Sequence, residues 1–297
     1  MSTTATILMG PQTLKTGREI RLFARSRPCP NTSGLAPGYL QANLIILPSR
    51  YAADFRLLCR RNPVPCPLIA ESSDPGRWDS VRSHIPGLDG ATLLTNVDLR
   101  RDAPKYNIYK DSKLNKSNCA DIVDVWTDDH VAFLIGCSFS FESSLTTAGL
   151  PPLHTTLGRN VPMYLSSMPL YPAGVFTDST VVVSMRPYKA SDVPKVRDIT
   201  RPFAATHGEP IAWGWDALKT LGIADIDVPE WGDAPMTEDG QPLGKFSGSD
   251  ELVPVFWGCG VTPQEAVMRS NLEGVIMAHS PGHMLLLDCQ DTDIISK

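Results

Sequence analysis

The chain has 297 residues, enough for a well-buried core in one large domain or two smaller ones. Hydrophobic residues at 42% and charged residues at 20% exclude a chain that is disordered throughout. A net charge of −5 argues against a nucleic-acid-binding face and leaves room for a local basic pocket that takes a small anion.

Lys15, Arg18, Arg21, Arg25 and Arg27 stand against Glu19 alone and predict an exposed basic first helix. The same charge pattern suits a mitochondrial presequence, so a mitochondrial location is the alternative to a cytoplasmic one. The first residues lack the apolar run of a secretory signal, and no run reaches the roughly 18 apolar residues of a membrane span. Leu40–Leu47 reads as a buried strand stopped by Pro48, after which Ser49 caps a helix to about Arg61. Leu68–Ala70 is a short strand. Thr127 or Asp128 is expected to cap a helix over 131–135, and a second helix follows Ser140 and ends at Gly149. Met163–Leu165 and the valine-rich Thr180–Met185 are strands.

Further on, helices are expected over about 191–205, with Pro194 in the first turn, and over 215–221, ending at Gly222. The acid-, glycine- and proline-rich stretch 222–250 is a long surface excursion. Leu252–Trp257 is an apolar strand and Gly258-Cys259-Gly260 a tight turn. Thr262 as N-cap, Pro263 at N1 and Glu265 at N3 then make a capping box. Two strands, 274–277 and 284–287, flank the turn Ser280-Pro281-Gly282. This alternation of strand-like and helix-like segments is the pattern of an α/β fold. The 7 cysteines are odd in number and scattered, with no Cys-x-x-Cys pair, which fits a reducing compartment and no disulfide framework.

Four segments concentrate polar groups among apolar ones. In Gly136-Cys137-Ser138-Phe139-Ser140-Phe141-Glu142, backbone N–H groups can face an anion, with Ser138 and Ser140 as donors and Glu142 as an acid or base. The bland reading makes Ser140 a cap and Cys137 a core residue. In Gly258-Cys259-Gly260-Val261-Thr262-Pro263-Gln264, a strand, a glycine turn and a helix start form a carboxylate or phosphate seat, or else a plain connection. His279 and His283 flank a tight turn and suit proton transfer near neutral pH. Zinc on His279, His283 and Cys259 lacks a fourth ligand, and Pro281-Gly282 breaks any helix that would align the histidines, so no metal is expected. His207-Gly208-Glu209-Pro210 reads as a solvated loop. Arg159 and Arg186 are candidate carboxylate clamps.

With these segments in view, the sequence resembles the D-glutamate cyclase-like family of hydro-lyases. The resemblance runs in order through Leu35-Ala36-Pro37-Gly38-Tyr39-Leu40-Gln41-Ala42-Asn43-Leu44, Asn62-Pro63-Val64-Pro65-Cys66-Pro67-Leu68, Pro104-Lys105-Tyr106 and 133–142. It continues through Val161-Pro162-Met163-Tyr164, Ser184-Met185-Arg186-Pro187, 207–210, 255–264 and His279-Ser280-Pro281-Gly282-His283-Met284. Where Ala278-His279-Ser280-Pro281-Gly282 stands here, Thr-His-Ala-Pro-Gly is usual in the family, and 222–249 also departs from its pattern.

The resemblance implies a main α/β domain, residues 1–115 and 245–297, interrupted by a smaller α+β domain over 116–244. It also implies loss of water from D-glutamate to give 5-oxo-D-proline, without a cofactor. That chemistry needs a base, an acid, oxyanion donors and a clamp for the α-carboxylate. His279, Glu142 and Cys137 are the catalytic candidates. Ser138, Ser140, Arg159, Cys259, Gly260, Thr262, Gln264 and His283 are the substrate-binding ones. The expected partner is a small carboxylate, with neither nucleic acid nor membrane, and a homo-oligomer is compatible with the sequence. A relative acting on another acid, or a carboxylate binder without turnover, are the competing readings.

Overall fold

A computed structural model describes residues 13–295; the reading of the first residues as free of a secretory signal concerns 1–12 and lies outside them. The elements open with α1 (Gly17–Ala24), β1 (Tyr39–Pro48), α2 (Ala52–Arg61), β2 (Leu68–Ser72), β3 (Val81–Ser83) and α3 (Gly90–Leu93). Next come β4 (Tyr106–Lys110), β5 (Lys113–Cys119), β6 (His130–Gly136), α4 (Glu142–Thr147), α5 (Leu153–Thr156) and β7 (Met163–Pro169). The chain closes with β8 (Thr180–Tyr188), α6 (Val193–Thr200), β9 (Ala212–Trp213), α7 (Asp216–Leu221), β10 (Val253–Gly258), α8 (Val261–Arg269), β11 (Val275–His279) and β12 (Leu285–Gln290).

The fold is mixed α/β and is built on two sheets whose paired strands all run antiparallel. The larger orders its strands β3-β2-β6-β1-β11-β4-β5, with β12 also on β1; the smaller is β7-β8-β10-β9. Strand β1 explains the architecture. Leu40, Ala42, Leu44 and Ile46 enter one apolar cluster while Ile45 and Leu47 enter another, so both faces of the strand are buried and its sequence is apolar apart from Gln41 and Asn43. Trp257 of β10 belongs to the first cluster and Phe256 to the second, so both sheets contribute to both clusters.

One edge of β1 is shared. Its Ile45 and Ile46 pair with Ala278 and Met277 of β11, whereas Tyr39, Gln41 and Ala42 pair with β12. At Asn43 and Leu44 the edge passes from one partner to the other. The chain between those partners, 280–284, turns out of the sheet there.

Several local expectations are corrected. Residues 131–135 form strand β6, not a capped helix. Val131, Phe133 and Ile135 join one cluster and Ala132 and Leu134 the other, the two-residue period of a strand buried on both faces. A short, wholly apolar run does not distinguish the two structures by periodicity. The capping box at Thr262 is absent: α8 starts two residues earlier, after Gly260, and the Thr262 hydroxyl is taken by the backbone of Val182. Helix α1 is not simply exposed, because Arg21 is buried against Asp102 and Asp288. His207 is also buried, its Nδ1 2.8 Å from Val64 O, while Glu209 pairs with Arg197 and Arg201. Among the described residues no helix is long and apolar enough to cross a membrane.

Candidate active site

The shared edge of β1 opens one wall of a cleft, and the other walls come from three turns distant in sequence. Cys137, Ser138 and Phe139 follow β6, Cys259, Gly260 and Val261 join β10 to α8, and His279 ends β11. Asn43, Asn160 and Gln264 complete its polar lining, and Met163 and Met284 are among its apolar walls. Close approach demands glycine at 260: a Cβ there would lie 1.9 Å from the Asn43 amide nitrogen. At 136 it would lie 1.9 Å from Ala205 O, so the chain can pass beneath the Cys137 turn only over a bare backbone.

His279 is buried and held by two donors. The N–H of Leu44, left without a strand partner where β11 gives way to β12, points at His279 Nδ1 from 3.1 Å, and the Gln264 side-chain amide lies 2.8 Å from the same atom. A backbone N–H can only donate, so Nδ1 is an acceptor and the ring proton resides on Nε2. Burial lowers the pKa to about 4 against the opposing effect of Leu44 O, so the ring is neutral near pH 7.

Among the described residues no formally charged side chain lines this cleft. The charge lies directly behind it. Arg186, fully buried, gives Nε and Nη2 to Glu142 at 2.9 and 2.5 Å, Nη1 to Ser184 and Nη2 to Ser138 at 3.0 Å. Its guanidinium also rests against the rings of Phe141 and Trp257. Burial pushes the Glu142 carboxyl up, but Arg186 and His154 outweigh it and hold it below the ordinary range. Because the Ser138 oxygen accepts from Arg186, its hydroxyl proton is free to point elsewhere.

The candidates thus divide. Cys137, Ser138, Cys259, Gly260, Gln264 and His279 share the cleft. Glu142 belongs to the ion pair behind it, and Ser140 accepts the N–H of Gln41. Thr262 ties α8 to β8, and His283 folds back so that its Nδ1 lies 2.9 Å from Pro281 O. Arg159 lines a small adjoining cavity with His154, sharing Asn160 with the cleft; its Nε has no hydrogen-bond partner among the described residues. Burial raises the Cys137 thiol to about 12 and the Cys259 thiol to about 11, so both stay protonated at neutral pH. Sequence reasoning missed Asn43 and Asn160 as lining residues. Asn43 stands out only as a polar residue inside the apolar β1.

A family model described as D-glutamate cyclase matches residues 131–288, which include every lining residue but Asn43. A Schizosaccharomyces pombe protein named "Putative hydro-lyase" is 40% identical, the match covering 91% of this chain and 83% of that protein. The chain belongs to the D-glutamate cyclase family. Two further relatives carry the same hydro-lyase name. The Rubrobacter xylanophilus protein is 43% identical over 88% of this chain and 91% of its own length, and the Bordetella petrii protein 44% over 92% and 94%. This D-glutamate cyclase family member is a lyase-class enzyme. Ala278 and Ser280, on either side of His279, do not line the cleft; Ser280 instead donates to Asn107 Oδ1 at 2.9 Å.

Proposed function

We propose that this cleft removes water from a small amino-acid carboxylate, closing D-glutamate to 5-oxo-D-proline. The observation that carries the reading is the convergence of the Cys137, Cys259 and His279 turns on a cleft rich in hydrogen-bond donors and free of formal charge. Such a medium disfavours the ionised forms of the bound amino acid. It drives a proton from the ammonium to the γ-carboxylate, which leaves a nucleophilic amine facing a carboxylic acid. The C–N bond then forms at the γ-carbon, a C–O bond breaks, and the hydroxyl leaves as water with the second amine proton.

The neutral His279, donating from Nε2, stabilises the developing oxyanion, and Ser138, oriented by Arg186, adds a second donor. The α-carboxylate takes the N-terminus of α8 beside Gly260, with Arg159 reached past Asn160. A thiol as firmly protonated as Cys137 serves as wall rather than nucleophile. The free space in the cleft is about 30 Å³, room for no more than a few waters. Substrate therefore enters as flexible walls such as Met163 and Met284 change rotamer.

The test is incubation with D-glutamate, L-glutamate and a panel of small amino and hydroxy acids, with chiral chromatography of the products. Accumulation of 5-oxo-D-proline from D-glutamate is expected. Turnover of another acid alone, or tight binding of D-glutamate without turnover, would remove the assignment.

A further inference from the structure

A second cavity, of about 430 Å³, opens beside α2, away from the cleft lining, and its size is that of a small-molecule site. Its polar rim carries two cations, Arg56 and Arg60, with the His84 ring beside them. Its floor is apolar, with Cys59, Pro67 and Leu68 among the contacts.

The charges do not balance locally. Glu71, whose side chain is fully buried, accepts from Arg56 at 2.6 Å and from Arg82, and lies 3.2 Å from His84. Burial would raise its pKa, but His84, Arg82 and Arg56 hold it down to about 2, so it supplies one negative charge against two arginines. Arg60 is exposed and forms no hydrogen bond or ion pair among the described residues. It sits four residues after Arg56 on α2, so two like charges face the same groove, an arrangement that costs an isolated helix a few tenths of a kcal/mol. Glu71 fixes Arg56 in place. The groove therefore presents one anchored and one free guanidinium above an apolar floor, which is the complement of an anionic head on an apolar body.

We propose that this groove binds a small organic phosphate, the phosphate held between Arg56 and Arg60 and the apolar part seated on the Cys59–Pro67 floor. The site is independent of the water-loss reading. It does touch the backbone that leads into both cysteine turns, since Pro67 O accepts the N–H of Gly136 and Val64 O lies against Gly258.

Phenyl phosphate is the probe, with inorganic phosphate and phenol as its separate halves. Calorimetric titration of the full chain should show saturable millimolar or tighter binding of phenyl phosphate, at least fivefold tighter than either half and weakened by salt. Arg60→Glu should weaken it tenfold or more and Arg60→Gln by less, both with unchanged melting temperature because Arg60 is exposed. His279→Gln should bind it as the parent does, which separates this site from the cleft. Absence of saturable binding, or equal affinity in Arg60→Glu, would overturn the proposal. Binding lost in His279→Gln but kept in Arg60→Glu would likewise overturn it by placing the probe in the cleft.

Discussion

The cleft and the layer behind it use polar groups in opposite ways. In front, Asn43, Ser138, Gln264 and His279 are uncharged, and burial keeps His279 neutral. Behind, Arg186 and Glu142 form a buried ion pair with His154 beside Glu142, and Arg186 reaches the cleft through the hydroxyl of Ser138. A full charge beside the reacting amine or γ-carboxyl would hold that group in its ionised, unreactive form. The same charge one layer back orients a donor without doing so. Under the proposed reading, this division assigns the chemistry to His279 and Ser138 and the architecture to Arg186 and Glu142.

The sharpest way to break this division is at its front. His279→Gln should lower turnover per folded molecule by about 10²–10³, the usual contribution of one oxyanion donor. Leu44 N–H and the Gln264 amide lose Nδ1 as acceptor and regain one only in part from the new amide oxygen, so about 1–3 kcal/mol of stability should go as well. Turnover and urea unfolding measured on one sample separate the two effects. Normal turnover per folded molecule would make His279 a purely structural residue.

Next in size is the layer behind. Glu142→Gln leaves Arg186 buried without a counter-charge and should cost about 3–5 kcal/mol of unfolding free energy. Glu142→Asp should recover part of that. A stable Glu142→Gln protein that has lost turnover would move Glu142 into the reaction and abolish the division.

Acid titration sharpens it further. His279 and His207 both have pKa values lowered from 6.5 to about 4, chiefly by burial. Between those values the unfolded chain binds protons that the native protein refuses, so stability rises with pH across this window and is lost as pH falls through it. Melting temperature followed from pH 7 to pH 4 should fall continuously, and less steeply in His207→Asn. A flat profile would show that the rings are not held neutral.

The smallest effect is expected at Cys137. Because its thiol is raised to about 12, Cys137→Ser should change turnover by less than about tenfold and leave no substrate-derived thioester to trap in the parent. Complete loss of activity in a folded Cys137→Ser protein would restore the covalent route.

Local chemistry in the sequence determined much of this protein. Proline and glycine punctuation located the ends of β1, α4 and α7, and polar residues crowded into turns between apolar runs marked Cys137, Cys259 and His279. Those signals are carried by neighbours along the chain, so they survive without coordinates. Tertiary structure alone decided the rest. Residues 131–135 became a strand because neighbours on both sides buried both faces, and Thr262 capped nothing because Val182 captured its hydroxyl. Glu142 was withdrawn into an ion pair by Arg186, and Asn43 joined the site because β1 exchanges partners beside it. Each of these depends on a partner tens to hundreds of residues away, and neither spacing nor residue type along one chain records which distant group will arrive.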